Sequence, residues 1–210
     1  MAMEYLDVLD EAGNRTGEVW DRERVHAEGA WHAVFHLWIV NGDGNVLLQR
    51  RSHRKSFFGG LVDVTVGGHL EAGESVLDGV REAQEEVGID VDPSRLCKLG
   101  RWEINRAFDN GIVSMIDREH QYVYGLVDTR PLHRYRLDPA EVDALYEVPL
   151  HTLRDLYGQG RPINVQGIDW RGRPVSARIK EDHTIPTARK PVTEQLERLA
   201  GLIQVAEPQK

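Results

Sequence analysis

The chain has 210 residues, of which 29% are charged and 40% hydrophobic, and its formal net charge is −8. That length suits one large core, or a core with an appendage, and the composition is that of a globular protein rather than a disordered or fibrous one. The acidic balance argues against nucleic acid or an anionic membrane as partners, and no apolar stretch approaches the roughly 20 residues of a membrane span.

The opening, MAMEYLDVLDEAG, has no basic region followed by an apolar run, so no secretory signal is read there. Residues 4–20 read as two short strands around the turn at Glu11–Asn14. From Trp31 to Val40, Trp31, Ala33, Phe35, Leu37 and Ile39 alternate with His32, Val34, His36, Trp38 and Val40, the period of a strand. Asn41-Gly42-Asp43-Gly44-Asn45 is a hairpin turn into a second strand, Val46–Arg51. Leu61–Val66 is expected to be a single strand, with Asp63 as a structural hydrogen-bond acceptor within it. Further strands are expected near 95–105 and 119–128, followed by a break at Pro131. Residues 139–158 carry helical patches with a short strand at Tyr146–Leu150. The lone Cys97 excludes an intramolecular disulfide, is expected to be a small buried apolar residue, and fits a reducing, cytoplasmic setting.

The last fifty residues read as an appendage. A hairpin is expected around Asp169–Pro174, and Pro191 opens a helix whose Val192, Leu196, Leu199 and Ile203 form one stripe. That stripe packs either within the chain or in a homodimer contact. The division is therefore a main domain over 3–158 and the appendage over 159–210.

The stretch from Gly67 to Ile89, GGHLEAGESVLDGVREAQEEVGI, reads as a reaction centre. Glycines at Gly67, Gly68 and Gly73 allow close backbone approach to a ligand, and Ser75 can cap the helix that follows. On that helix Glu82, Glu85 and Glu86 are expected to share a face, with Val80, Ala83 and Val87 buried opposite. Like charges at that spacing repel unless a cation lies among them, and hard oxygen ligands suit Mg²⁺ or Mn²⁺. Gly88 is placed to close the helix.

This segment resembles the signature of the Nudix hydrolases: Gly, five residues, Glu, seven residues, then Arg-Glu-apolar-x-Glu-Glu-x-Gly-apolar. Gly68, Glu74, Arg81, Glu82, Ala83, Glu85, Glu86, Gly88 and Ile89 fill its fixed positions, but only six residues, Ser75–Val80, separate Glu74 from Arg81. The resemblance covers roughly residues 3–150. It implies an α/β/α sandwich with mixed sheets and metal-dependent cleavage of a diphosphate bond in a small phosphorylated substrate, a nucleoside diphosphate linked to another group.

The resemblance also implies site roles. Glu82, Glu85 and Glu86 would hold the metal, helped by the carbonyl of Gly67 and by a glutamate from outside the signature, for which Glu119 at the head of a strand is the candidate. Glu82 and Glu85 would be catalytic, with Arg81 orienting them by paired hydrogen bonds. Arg50 and Arg51, on opposite strand faces, and His32 and His36, on one face, are candidates for substrate contact, and Trp38 either packs or stacks a base. A bacterial subgroup with LLLQRRS, GLxD and GGHLEAGE is the nearest likeness, and it also resembles isopentenyl-diphosphate isomerase. The isomerase needs a cysteine in the loop after Leu61, where this chain has Thr65-Val66-Gly67-Gly68-His69-Leu70. A ligand sensor without turnover is a third reading, and the intact glutamates argue against it.

Overall fold

The computed structural model describes residues 3–109, 114–186 and 189–206. Its central strand, β3 (Trp31–Val40), is buried on both sides. Phe35, Leu37 and Ile39 enter one core, while Trp38 and Val40 enter the other. Around it run a hairpin of β1 (Tyr5–Leu9) and β2 (Arg15–Asp21), and a long antiparallel pair of β7 (Cys97–Asp109) and β8 (Ser114–Val127). β8 lies parallel to β3 along its whole length, from Trp31↔Arg118 to Val40↔Val127. A parallel neighbour among antiparallel ones makes the sheet mixed, as expected.

The turn Asn41–Asn45 is closed by the Asn41 side chain, whose Oδ1 accepts from the N–H groups of Asp43 and Asn45 at 2.9 Å each. The two strands it joins then part. β3 and β4 (Asn45–Arg51) pair only at Val40↔Val46. β4 goes on to pair with β9 (Val142–Pro149), which carries β10 (Ile163–Asp169) and β11 (Pro174–Ile179) beyond it.

The segment expected as one strand, Leu61–Val66, is instead two, β5 (Val62–Asp63) on β4 and β6 (Val66–His69) on β3. Thr65 explains the break. Its Oγ1 accepts from Ile39 N at 2.9 Å and donates to the Leu47 carbonyl at 2.5 Å, satisfying both strands where they no longer pair with each other.

Residues 139–158 are also more ordered than expected: β9 is a full strand with Val142, Ala144, Tyr146 and Val148 buried, followed by α3 (Leu150–Gln159). A short helix, α1 (Arg22–Glu28), has no counterpart in the sequence reading; Asp21 caps it by accepting from Arg24 N at 2.9 Å and Gly29 ends it at φ 68°. Cys97 is exposed at the start of β7, not buried.

Helices cover both faces of the sheet. Ala83 and Val87 of α2 (Arg81–Val87) close one core. Leu153 and Leu156 of α3 close the other, together with Val192, Leu196 and Leu199 of α4 (Arg189–Ala206). The α4 stripe is therefore used within the chain, each buried leucine contributing about 1.5–3 kcal/mol. Trp38 packs there too, with Nε1 donating to Gln195 Oε1 at 3.0 Å, so its indole has no face left for a base. The hairpin β10–β11 extends the same sheet; residues 187–188 and 207–210 of the stretch read as an appendage lie outside the described ones. Among the described residues no helix is long and apolar enough to cross a membrane.

Candidate active site

The site forms where β6 passes beneath α2. Between them Val76–Val80 wind as a 3-10 helix, entered at Ser75, whose N–H donates to Asp78 Oδ2 at 2.7 Å. Five residues at a rise of about 2.0 Å span what six or seven would at the α-helical rise of about 1.5 Å. This tighter entry compensates for the residue missing between Glu74 and Arg81. Gly88, at φ 70°, closes α2 as expected.

On α2 the three glutamates part company. Glu86 is buried with Ala83 and Val87, Glu82 is half-buried and Glu85 exposed. At 100° per residue Glu86 sits only 40° from Glu82, and on the side of Ala83, so it borders the packed face. All three nevertheless line one cleft, at different depths on the face they share.

Arg81 is the hub. Its Nε donates to Glu74 Oε1 at 2.7 Å and its Nη2 to the His69 carbonyl at 3.1 Å. Its Nη1 donates to Glu82 Oε1 at 2.7 Å and to Glu85 Oε2 at 3.1 Å. Glu74 thus anchors the arginine that aligns the catalytic candidates. Glu86 is held from the other side, its Oε2 accepting from Gly67 N at 3.1 Å and from Gln49 Nε2 at 3.2 Å. A Cβ on Gly68 would collide with the Glu82 carboxyl, so glycine there leaves room for it.

Burial pushes the Glu82 carboxyl up to about 7 against the pull of Arg81. Burial and the nearby Glu82 push Glu86 well above the usual carboxylate range. On the facing wall Glu119 lies within β8 rather than at its head; burial and the adjacent Asp117 raise it to about 8. All three line one cleft of about 510 Å³, together with Arg51, Lys55 and Arg106. Carboxyls that resist ionising in a cleft rich in acids fit a cation, because a bound cation favours their charged form.

The remaining candidates divide. Arg51 lines the cleft 3.7 Å from Asp63, whose Oδ1 accepts from Val64 N at 2.8 Å as the structural role requires. His36 lines it too, lowered to about 4 by burial and hence neutral. A register shift separates Arg50 from Arg51, and Arg50, opposite Val62 and Ala144, is not among the lining residues. His32 is fully buried behind the cleft wall. The sequence reading missed Phe57 and Phe58, which form an aromatic wall, as well as Arg106, Asp117, His26 and His69. Arg106 Nε donates to Asp117 Oδ2 at 2.8 Å, and its Nη2 lies 3.6 Å from Glu119.

The NUDIX domain model matches residues 30–170, from β3 to β10 and including α2. The chain belongs to the Nudix hydrolase family. An uncharacterised Nudix hydrolase of Clostridium acetobutylicum is 32% identical over 197 residues, covering 89% of this chain and 92% of its own length. Nudix hydrolase 3 of Arabidopsis thaliana is 30% identical over 167 residues, 79% of this chain but 22% of the plant protein. A crystal structure from Deinococcus radiodurans shares the fold, with a TM-score of 0.55 at 22% identity over 75% of this chain and 91% of that one. Nudix hydrolases generally use divalent metal ions, and Glu82 and Glu86 have the oxygen chemistry to hold one here.

Proposed function

We propose that this Nudix hydrolase cleaves the diphosphate bond of a nucleoside diphosphate linked to another group, with Mg²⁺ or Mn²⁺. The observation that carries the reading is the pairing, in one cleft, of the half-buried Glu82 and buried Glu86 carboxyls with the cations Arg51, Lys55 and Arg106. The carboxylates are the ligands of choice for a hard divalent ion and the cations meet the phosphate oxygens. Glu82, Glu85, Glu86 and the Gly67 carbonyl are the proposed ligand set, with Glu119 reaching the cleft from the opposite wall. A bound ion supplies charge neutralisation on the phosphates and a more acidic water.

The chain's own groups do the rest. Glu82 accepts the proton of the water whose oxygen attacks phosphorus, while the bond to the bridging oxygen breaks. Arg81 holds Glu82 in place. Arg51 and Lys55 balance charge on the departing phosphate, and neutral His36 offers a hydrogen bond without adding charge. The aromatic wall of Phe57 and Phe58 is apolar enough to receive a base. The isomerase reading has no thiol to work with, since Cys97 does not line the cleft. Its exposed thiol agrees with a reducing, cytoplasmic setting.

The test is a panel of nucleoside diphosphate derivatives assayed for release of two phosphorylated products with Mg²⁺, with Mn²⁺ and after chelation. Turnover that stops on chelation and returns with either ion is expected. Full turnover by the metal-stripped protein ends the reading.

A further inference from the structure

Behind the carboxylates three imidazoles meet. His26 comes from α1, His32 from the start of β3 and His69 from the end of β6, with ring centroids 5.0, 5.2 and 5.1 Å apart. The Nδ1 of each is already engaged: His26 with the Arg22 carbonyl at 2.8 Å, His32 with the Ala30 carbonyl at 3.1 Å, and His69 with the Glu4 carboxylate at 3.1 Å. Such oxygens only accept, so each Nδ1 carries the proton and each Nε2 presents a lone pair. One ring nitrogen from each of the three lies within 4.8 Å of the others.

Asp117 completes the group from β8. Its Oδ2 accepts from Arg106, while its Oδ1 lies 3.8 Å from His26 Nε2 and 3.8 Å from His32 Nε2. His32 Nε2 and Asp117 Oδ1 are both buried with no hydrogen-bond partner, in residues 0% and 1% exposed. Two acceptors cannot satisfy each other, and a polar atom left unpaired at that depth is destabilising.

We propose that His26, His32, His69 and Asp117 bind a divalent transition ion of the zinc type, at a site separate from the glutamates of α2. Three imidazole nitrogens and one carboxylate oxygen suit such an ion, whereas Mg²⁺ prefers oxygen throughout. Carbonyl and carboxylate acceptors on each Nδ1 are the outer contacts that aim metal-binding histidines. Bonds of about 2.0–2.1 Å in a tetrahedron separate ligand atoms by about 3.3 Å, so the 3.8 Å carboxylate spacings need to close by roughly half an ångström and the histidine nitrogens, within 4.8 Å of one another, by up to about 1.5 Å. Glu119, with a carboxylate oxygen within 4.8 Å of His32 and Asp117, is already engaged elsewhere, its Oε2 accepting from Gln121 at 2.5 Å and its Oε1 3.6 Å from Arg106. The ion pins α1, β3, β6 and β8 together at the cleft wall, whether or not a diphosphate is the substrate.

The full chain, stripped by chelator, loaded with Co²⁺ and desalted in excess Mg²⁺, is expected to keep about one equivalent of Co²⁺. Paramagnetically shifted, exchangeable imidazole N–H protons should appear in its proton NMR spectrum, and Zn²⁺ should displace the Co²⁺. Glu82→Gln should retain the ion, which separates this site from the one proposed on α2. His69→Gln and His32→Gln should weaken it at least about tenfold. The NMR signature of the unaltered chain needs no variant, so a His32→Gln protein that fails to fold does not shelter the idea. Absence of retained Co²⁺, absence of shifted N–H protons, undiminished binding in a folded His69→Gln protein, or loss of the ion in Glu82→Gln each overturns it.

Discussion

The Arg81 guanidinium lies 2.7 Å from Glu82 and 2.7 Å from Glu74, bridging the loop before the helix to the first glutamate on it. Removing that bridge leaves every proposed ligand in the chain but frees Glu82 and Glu85 to turn. Arg81→Ala is therefore expected to weaken apparent Mg²⁺ affinity by about 10–100-fold, with added Mg²⁺ restoring much of the rate. Activity titrated against Mg²⁺ concentration checks this; a variant dead at every concentration would place Arg81 in direct contact with substrate instead.

Glu82→Gln keeps the shape of the side chain and removes its charge and basicity. A fall in kcat of about 10²–10⁴ is expected, with a much smaller change in substrate Kd. Steady-state kinetics beside equilibrium binding of a slowly cleaved analogue would show it. Normal turnover would move the base to another residue.

Two glycines give a matched pair. In Gly68→Ala the new methyl group collides with the Glu82 carboxyl, so kcat/KM should fall at least about tenfold, or 1.4 kcal/mol. Gly158 lies in α3 with nothing within 4 Å of its would-be Cβ. Gly158→Ala should leave the rate alone and add about 0.5–1 kcal/mol of stability to the helix, seen as a raised urea midpoint.

Glu4 carries a pH dependence. Burial alone would raise its carboxyl, but His69, Arg22 and Arg81 outweigh burial and hold it down to about 2. A depressed folded value means the stabilisation is complete above the ordinary carboxylate range near 4.5 and is lost as pH falls toward 2. Because the side chain is about a third exposed, Glu4→Gln should cost about 1–2 kcal/mol at pH 7. Urea unfolding of both proteins at pH 7 and pH 3 should show the gap narrowing in acid; a gap that widens refutes the assignment.

Much of this architecture was legible from residue order because local chemistry and tertiary context agree there. The alternation of Trp31–Val40 and the Asn41–Asn45 turn needed only neighbours along the chain. The run Leu61–Val66 did not, since its break depends on the Thr65 hydroxyl meeting Ile39 and Leu47 from other strands. α1 is seven residues with only Val25 and His26 buried, too short for a helical period to declare itself. In β9 the alternation of Val142, Ala144, Tyr146 and Val148 was present in the sequence and was outweighed by helix-forming neighbours. The signature glutamates could be identified, but not which of them would be buried, because that depends on how a two-turn helix is rotated. Asp117 and the histidine cluster gather from four elements, and no spacing along the chain announces such a meeting.

Trp38 closes its core against Gln195, 157 residues further along the chain. A ribosome adding about 5–20 residues per second needs roughly 10–30 s to travel that distance. In the last third of that interval β3 still has one apolar face uncovered, while the glutamates of α2 and the strand carrying Glu119 are already made. The nascent chain thus carries the parts of its active site well before it can bury the tryptophan beneath them. Slow decoding between residues 160 and 199 would prolong that vulnerable state, and synonymous codons in that stretch should influence the yield of folded protein more than those before it.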